Sequence, residues 1–162
     1  MASGKIENYI PAYTAPSSYL GTINYSYDYD STKNVIVLNV NGTIESLNVN
    51  YSSYNTSSTN IVYISERDEE GAIIAEYAPT TAYNCQNLGK TQIFSYTVEI
   101  PYGLTSVYIS WSFNGNLSTW NPNGTVAGLI DLSQVQAGTQ LIMWVNVNGQ
   151  WKQGRPYIAP LA

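Results

Sequence analysis

The sequence predicts an all-β protein, a single antiparallel β-sandwich or jelly-roll-like domain of about ten short strands. Three observations lead to this fold class. Apolar and polar residues alternate with a period of two along much of the chain. Turn signals recur roughly every ten residues, and no stretch has the repeat of an amphipathic helix. We assign residues 22–162 to the sandwich and residues 1–21 to an extended N-terminal arm.

The N-terminal arm has no periodic pattern and is interrupted by Pro11 and Pro16. It is either an extended segment that runs over a neighbouring subunit or a disordered tail. An extended arm can add a strand to the exposed edge of a neighbour's sheet. No apolar signal core follows Met1, so the expected location, extracellular or on a virion surface, requires a removed signal or a release route without one.

The composition favours binding or assembly over catalysis. Only 10% of the 162 residues are charged, against roughly 25% in typical soluble domains, and fifteen are tyrosines. The net charge is −5 and the six Lys and Arg residues are scattered, so we expect no nucleic-acid partner and no membrane insertion. The chain has no histidine and a single cysteine, Cys85, which excludes an intrachain disulfide and a cysteine zinc site. We therefore predict that the protein is not an enzyme and needs no cofactor.

Alternation and turn residues place the individual elements. Strands are predicted over residues 22–30, 34–41, 43–51, 61–66, 72–78, 92–100, 105–113 and 125–132. Turns are predicted at Asn41-Gly42, at the charged tip 67–71 and at Asn114-Gly115, with loops at 52–60 and 79–90 and one helical turn at 133–138. In the strand at 105–113, the expected core face consists of Val107, Ile109, Trp111 and Phe113.

The segment 141–153 predicts a β-hairpin. Asn148-Gly149 supplies the two residues of positive φ that a type I′ turn requires. This turn pairs Val147 with Gln150, Asn146 with Trp151, Val145 with Lys152, and Trp144 with Gln153. Because side chains alternate across a strand, one face is an apolar core face of Leu141, Met143, Val145 and Val147. The other face consists of Ile142, Trp144, Asn146, Trp151 and Gln153.

That second face places two tryptophans among amides, the pattern most suggestive of function in the chain. Three interpretations stay open. The face is covered by a second layer of the protein, contacts another subunit, or binds a sugar through indole and amide groups. Trp120, in a loop with Asn121 and Asn123, is a further candidate contact.

Two minor site types remain. Asp28 and Asp30 share one strand face and are weak candidates for binding Ca²⁺, which prefers oxygen ligands, although a solvated strand face is favoured. Six Asn-x-Ser/Thr sequons occur, of which Asn41, in the predicted tight turn, and Asn55, in the predicted polar loop, are the best placed to carry glycans.

Together these features favour a non-catalytic structural protein that self-assembles through its arm, its edge strands and aromatic contacts, as a component of a virion or an extracellular filament. Its partners would be copies of itself. The alternative is a carbohydrate-binding module or lectin that uses exposed tryptophans with Asn and Gln.

Overall fold

The structure is a computed structural model, and it describes residues 1–12, 15–47, 55–84, 89–116, 121–136 and 143–154. Two antiparallel sheets make up most of this part of the chain, which confirms the predicted β-sandwich. The strands are β1 (Ala2–Ala12), β2 (Ala15–Asp30), β3 (Val35–Ser46), β4 (Asn55–Glu66), β5 (Ile73–Tyr77), β6 (Thr80–Asn84), β7 (Lys90–Pro101), β8 (Ser106–Gly115), β9 (Asn123–Asp131), β10 (Met143–Val147) and β11 (Gln150–Gly154), with one helical turn, α1 (Ser133–Gln136).

The first sheet has the strand order β1-β2-β3-β7. The second has the order β5-β4-β8-β9, and β6 pairs with the first half of β4, before the part that pairs with β5. Strands β10 and β11 form a separate two-stranded sheet. Strand alternation therefore directs one face of each large sheet towards a shared core.

The core lies between the two large sheets. On β8 the four residues predicted as its core face are all buried, each at 1% exposure or less. The indole Nε1 of Trp111 donates a 2.8 Å hydrogen bond to Oδ1 of Asn60, which is itself buried. A buried polar group costs free energy unless it is paired, and here the two polar groups satisfy each other.

The predicted turn at Asn41-Gly42 is wrong. Both residues lie inside β3, where they pair with β2 on one side and β7 on the other, and neither has a positive φ. The ring of Phe94 lies over Gly42, with its Cε1 only 2.1 Å from where a Cβ would stand. Gly42 is thus needed for close packing and not for a turn, because Asn-Gly is a turn signal only where the chain reverses.

Three further local predictions are wrong for the same kind of reason. Strand β4 begins at Asn55, within the predicted loop 52–60, and β6 lies within the predicted loop 79–90. These polar segments pair with each other, from Asn55 with Asn84 to Thr59 with Thr80. The residues of the predicted Asn114-Gly115 turn end β8 and pair with β4. Long-range pairing overrides weak local strand preference.

The segment assigned to the N-terminal arm is extended and lies in the first sheet. β1 pairs with β2 from Ala2 opposite Tyr27 to Ala12 opposite Ala15. Its other edge approaches β9 of the second sheet, where Asn8 Nδ2 donates to the Thr125 carbonyl at 3.0 Å. Ala12 also forms an isolated bridge with Pro122. We call this junction of β1 and β9 the seam.

Candidate functional site

The β10–β11 hairpin has the predicted register at every predicted pair, from Val147 opposite Gln150 to Trp144 opposite Gln153. Asn148 has a φ of 52° and Gly149 a φ of 81°, as a type I′ turn requires. Asn146 Oδ1 accepts a 3.0 Å hydrogen bond from the Gly149 backbone N–H. This bond stabilises the turn. Its acceptor, Asn146, was predicted to lie on the face that carries the tryptophans.

Trp151 is the most exposed tryptophan that the structure describes, with 67% of its surface accessible. Its cross-strand partner is Asn146, which is also exposed. Burial of an exposed large apolar side chain is favourable by about 1.5–3 kcal/mol, so covering this indole would lower the free energy. Among the described strands, β10 and β11 pair with no strand but each other.

The rest of the predicted hairpin site is only partly described. The backbones of Trp144 and Gln153 are paired as predicted, but their side chains lie outside the described part of the structure. The same is true of the apolar face at Met143, Val145 and Val147. Leu141, Ile142 and Trp120 lie wholly outside the described residues.

A second candidate site lies on the outer face of the second sheet. It is a cleft of about 300 Å³ lined by Tyr63, Ser65, Glu69, Ile73, Tyr108 and Ser110, which we call the tyrosine cleft. Ser65 pairs with Tyr108 and Tyr63 with Ser110, so the two tyrosines are diagonal neighbours on adjacent strands. Ile73 is 60% exposed at the rim. The cleft thus combines aromatic rings, hydroxyls, an exposed aliphatic side chain and one carboxylate.

Sequence reasoning missed the tyrosine cleft because its two tyrosines lie far apart in the chain, on β4 and β8. Ser65, which pairs with Tyr108, carries no chemical signal of its own. One clue was present in the sequence: Tyr108 occupies a position on β8 whose neighbours on the same face, Ser106 and Ser110, are small and polar. An aromatic residue at such a position is a candidate contact.

The charged tip between β4 and β5 forms one end of the tyrosine cleft. Residues 66–71 contain four carboxylates and one guanidinium, which leaves a charge of −3. The tip is held by its own hydrogen bonds: Ser65 Oγ donates to the Asp68 carbonyl at 2.8 Å, and the Glu70 backbone N–H donates to Asp68 Oδ1 at 3.1 Å. The cleft therefore opens beside a strongly negative and well-ordered turn.

Asp28 and Asp30, the weak calcium candidates, each have another partner. Asp28 Oδ1 lies 3.2 Å from the amino group of Met1. Asp30 Oδ1 accepts hydrogen bonds from the backbone N–H groups of Thr32 and Lys33, at 2.9 and 3.2 Å, and so caps the β2–β3 turn. Within the described residues, no three acidic or cysteine side chains are grouped so as to hold a metal ion.

The two glycosylation candidates are not in the settings that the sequence predicted. Asn41 is half-buried in β3 and its Oδ1 accepts a 3.2 Å hydrogen bond from Asn24 Nδ2. Asn55 is the first residue of β4 and is not in a loop. Since Asn41 lies between two paired strands, the tight-turn argument for a glycan there no longer holds.

The perturbed titrations belong to structural groups. Burial is the main cause that raises the pKa of Tyr27 and of Tyr96 above the usual value. The hydroxyl and backbone N–H of Ser133 lower the pKa of Asp131 by hydrogen bonding to its carboxylate. All three shifts move the pKa further from neutrality.

No protein-family model matches the chain, and no curated protein matches it either.

None of the helices in the described ranges has the length and apolar character needed to cross a membrane.

Proposed function

We propose that this protein is a non-catalytic structural β-sandwich that self-assembles, as a component of a virion or an extracellular filament. The observation that carries the proposal is Trp151, exposed on a hairpin that pairs with none of the other described strands. A lone two-stranded hairpin is only marginally stable in water. Contact with a neighbouring subunit would stabilise the hairpin and bury the indole together.

The composition of the surface supports assembly. Charged residues are few, and charge is what most soluble domains use to keep their copies apart. Tryptophan and tyrosine are the residues most enriched at the energetic centres of protein interfaces. An exposed Trp on a chain with few charged residues therefore suits subunit contact better than a freely soluble monomer.

Multi-angle light scattering at several protein concentrations tests the proposal. We expect a molar mass above the 17.9 kDa of one chain, rising with concentration. Trp151→Ala should raise the concentration needed for assembly by on the order of tenfold to thirtyfold, because interface hot spots contribute about 2 kcal/mol. Its melting temperature should change little, since Trp151 is largely exposed.

The matched control is Tyr9→Ala, which removes another exposed aromatic side chain, 55% accessible, from β1. Assembly of this variant should stay as in the wild type. A wild-type protein that remained at the mass of one chain at every concentration would disprove self-assembly.

The second candidate function is carbohydrate binding, and the pairing of exposed Asn146 with Trp151 supports it. An indole can stack on the C–H face of a sugar while an amide bonds its hydroxyls. Screening on a glycan array would show saturable binding that Trp151→Ala abolishes. Absence of binding across a broad array would count against this function.

A further inference from the structure

We propose that Trp151 of one copy inserts into the tyrosine cleft of a second copy, so that the chain assembles head to tail. This inference rests on the proposed self-assembly and names the two surfaces that meet. The exposed indole is a projecting group, and the cleft is a recess on a different strand set, bounded by β4, β5 and β8. The two surfaces are different patches of one molecule.

Size and chemistry match between the two surfaces. A cleft of about 300 Å³ is at the small end of the range for ligand pockets, which suits one large side chain. Tyr63 and Tyr108 offer ring faces and edges, and aromatic pairs favour offset or edge-on packing. Ile73, at 60% exposure, would be covered by the incoming hairpin.

Charge also matches. Residues 143–154 contain one charged side chain, that of Lys152, so the hairpin carries +1. The tip at 66–71 beside the cleft carries −3. Although the whole chain carries −5 and its copies repel one another, the hairpin and the tip carry formal charges of opposite sign. Opposite local charges of this kind set the orientation of docking more than its affinity.

The geometry of such a contact determines the type of assembly. Because the projecting group and the recess are different patches, the contact is heterologous, and a bound pair still has one free recess on one copy and one free indole on the other. Repetition gives either a closed ring or an open helical filament. A contact of hairpin with hairpin would instead end at a dimer.

Mixing two complementary variants tests the inference. Trp151→Ala keeps the cleft and removes the projecting group. Ile73→Lys keeps the projecting group, removes an exposed apolar side chain from the rim and places a charge where the indole would have to be buried. At a concentration at which the wild type assembles and Trp151→Ala does not, each variant alone should have the mass of one chain by light scattering. Their equimolar mixture should form a complex of two chains and grow no further, since the remaining recess and the remaining projecting group are both defective.

The matched control is Ile61→Lys, the same substitution on the outer face of the same sheet but outside the cleft lining. It should assemble as the wild type does. Circular dichroism checks the fold of each variant, and Ser110→Arg, which fills the cleft from β8, replaces Ile73→Lys if that variant is destabilised.

The outcomes separate the two proposals. If Ile73→Lys or its replacement assembled as well as the wild type while Trp151→Ala did not, the head-to-tail contact would be wrong and self-assembly would stand. Equal loss of assembly in Ile61→Lys would also overturn the cleft as the docking site. A wild-type protein that stayed at the mass of one chain would overturn self-assembly itself, and the contact with it.

Discussion

Asn60 joins three parts of the second sheet through its side chain. Its Oδ1 accepts from the Trp111 indole, and its Nδ2 donates to Ser58 Oγ at 2.8 Å and to the Pro79 carbonyl at 3.3 Å. Ser58 Oγ in turn donates to the Thr81 carbonyl at 3.2 Å. The network fixes the largest buried side chain of the described core and also holds β6 against β4.

Replacing Asn60 with leucine keeps its approximate size and removes the acceptor of the indole N–H. We expect Asn60→Leu to lower the free energy of unfolding by about 1–3 kcal/mol, the cost of an unpaired buried donor. Urea unfolding measures this as a lower midpoint at an unchanged slope. Asn39→Leu is the control, because the bond of Asn39 with Thr97 is exposed. Equal effects in the two variants would contradict the argument.

The sequence predicted the burial of Trp111 but not the partner of its indole. The burial follows from alternation with Val107, Ile109 and Phe113. The partner lies on another strand, in a segment whose polar composition favoured a loop. Which polar residue enters a core depends on strand register, and the identity of a single residue does not predict the register.

Among the strands, β3 shows how a turn signal can occur inside a long sheet strand. The pairing of β3 with β7 shifts at Gly42 and Thr43, so that Gly42 faces Phe94 and Thr43 faces Gln92. The extra residue on β7 is Ile93, and both Ile93 and Phe94 are buried. A β-bulge that redirects side chains in this way leaves space for the Phe94 ring only above a glycine.

We expect Gly42→Ala to destabilise the protein by about 1–3 kcal/mol through overpacking. Combining it with Phe94→Leu should cost less than the sum of the two single changes, since the smaller side chain makes room for the new methyl group. The measurement is a double-mutant cycle from urea unfolding. Strict additivity would show that the ring and Gly42 are not in energetic contact.

Local chemistry was enough to predict the β10–β11 hairpin, its turn and its register. That turn lies between two short strands, where Asn-Gly forms a type I′ turn. The same dipeptide gave a wrong turn prediction at Asn41-Gly42 because β3 continues through it, paired with β2 on one side and β7 on the other. The difference therefore comes from the pairing of β3 with a strand on each side, one of which, β7, is distant in the sequence.

For the molecule as a whole, the first strand is part of the core. Ile10 and Ala12 are fully buried, and Ile6 packs against Gly128 of β9 across the seam. Loss of Ile10 alone should cost about 2–5 kcal/mol, against a total stability of about 5–15 kcal/mol for a typical domain.

Deleting residues 1–12 should therefore abolish cooperative unfolding and not merely change the oligomeric state. Thermal unfolding followed by circular dichroism measures this, with Tyr9→Ala as the control that keeps the strand. A truncated protein that melted cooperatively near the wild-type temperature would show that β1 is dispensable and behaves as an arm.

The fold class was predictable because alternation and turn spacing act along the whole chain. The strand order was not, since it places β7 beside β3 and β8 beside β4, pairings between segments distant in the sequence. The tyrosine cleft depends on that order and was missed for the same reason. Trp151 was found as a candidate because a local turn fixes the hairpin face on which it lies, whereas its exposure was one of three interpretations that the sequence left open.

The intrinsic fluorescence of Trp111 and Trp151 can report on two different properties of the protein. One indole is fully buried and hydrogen-bonded, and the other is mostly in water. In a background where Trp120 and Trp144 are replaced by phenylalanine, emission from Trp111 would follow the integrity of the core. Emission from Trp151 would shift to shorter wavelength only when a neighbour covers it, so that folding and association could be followed in one cuvette without a label.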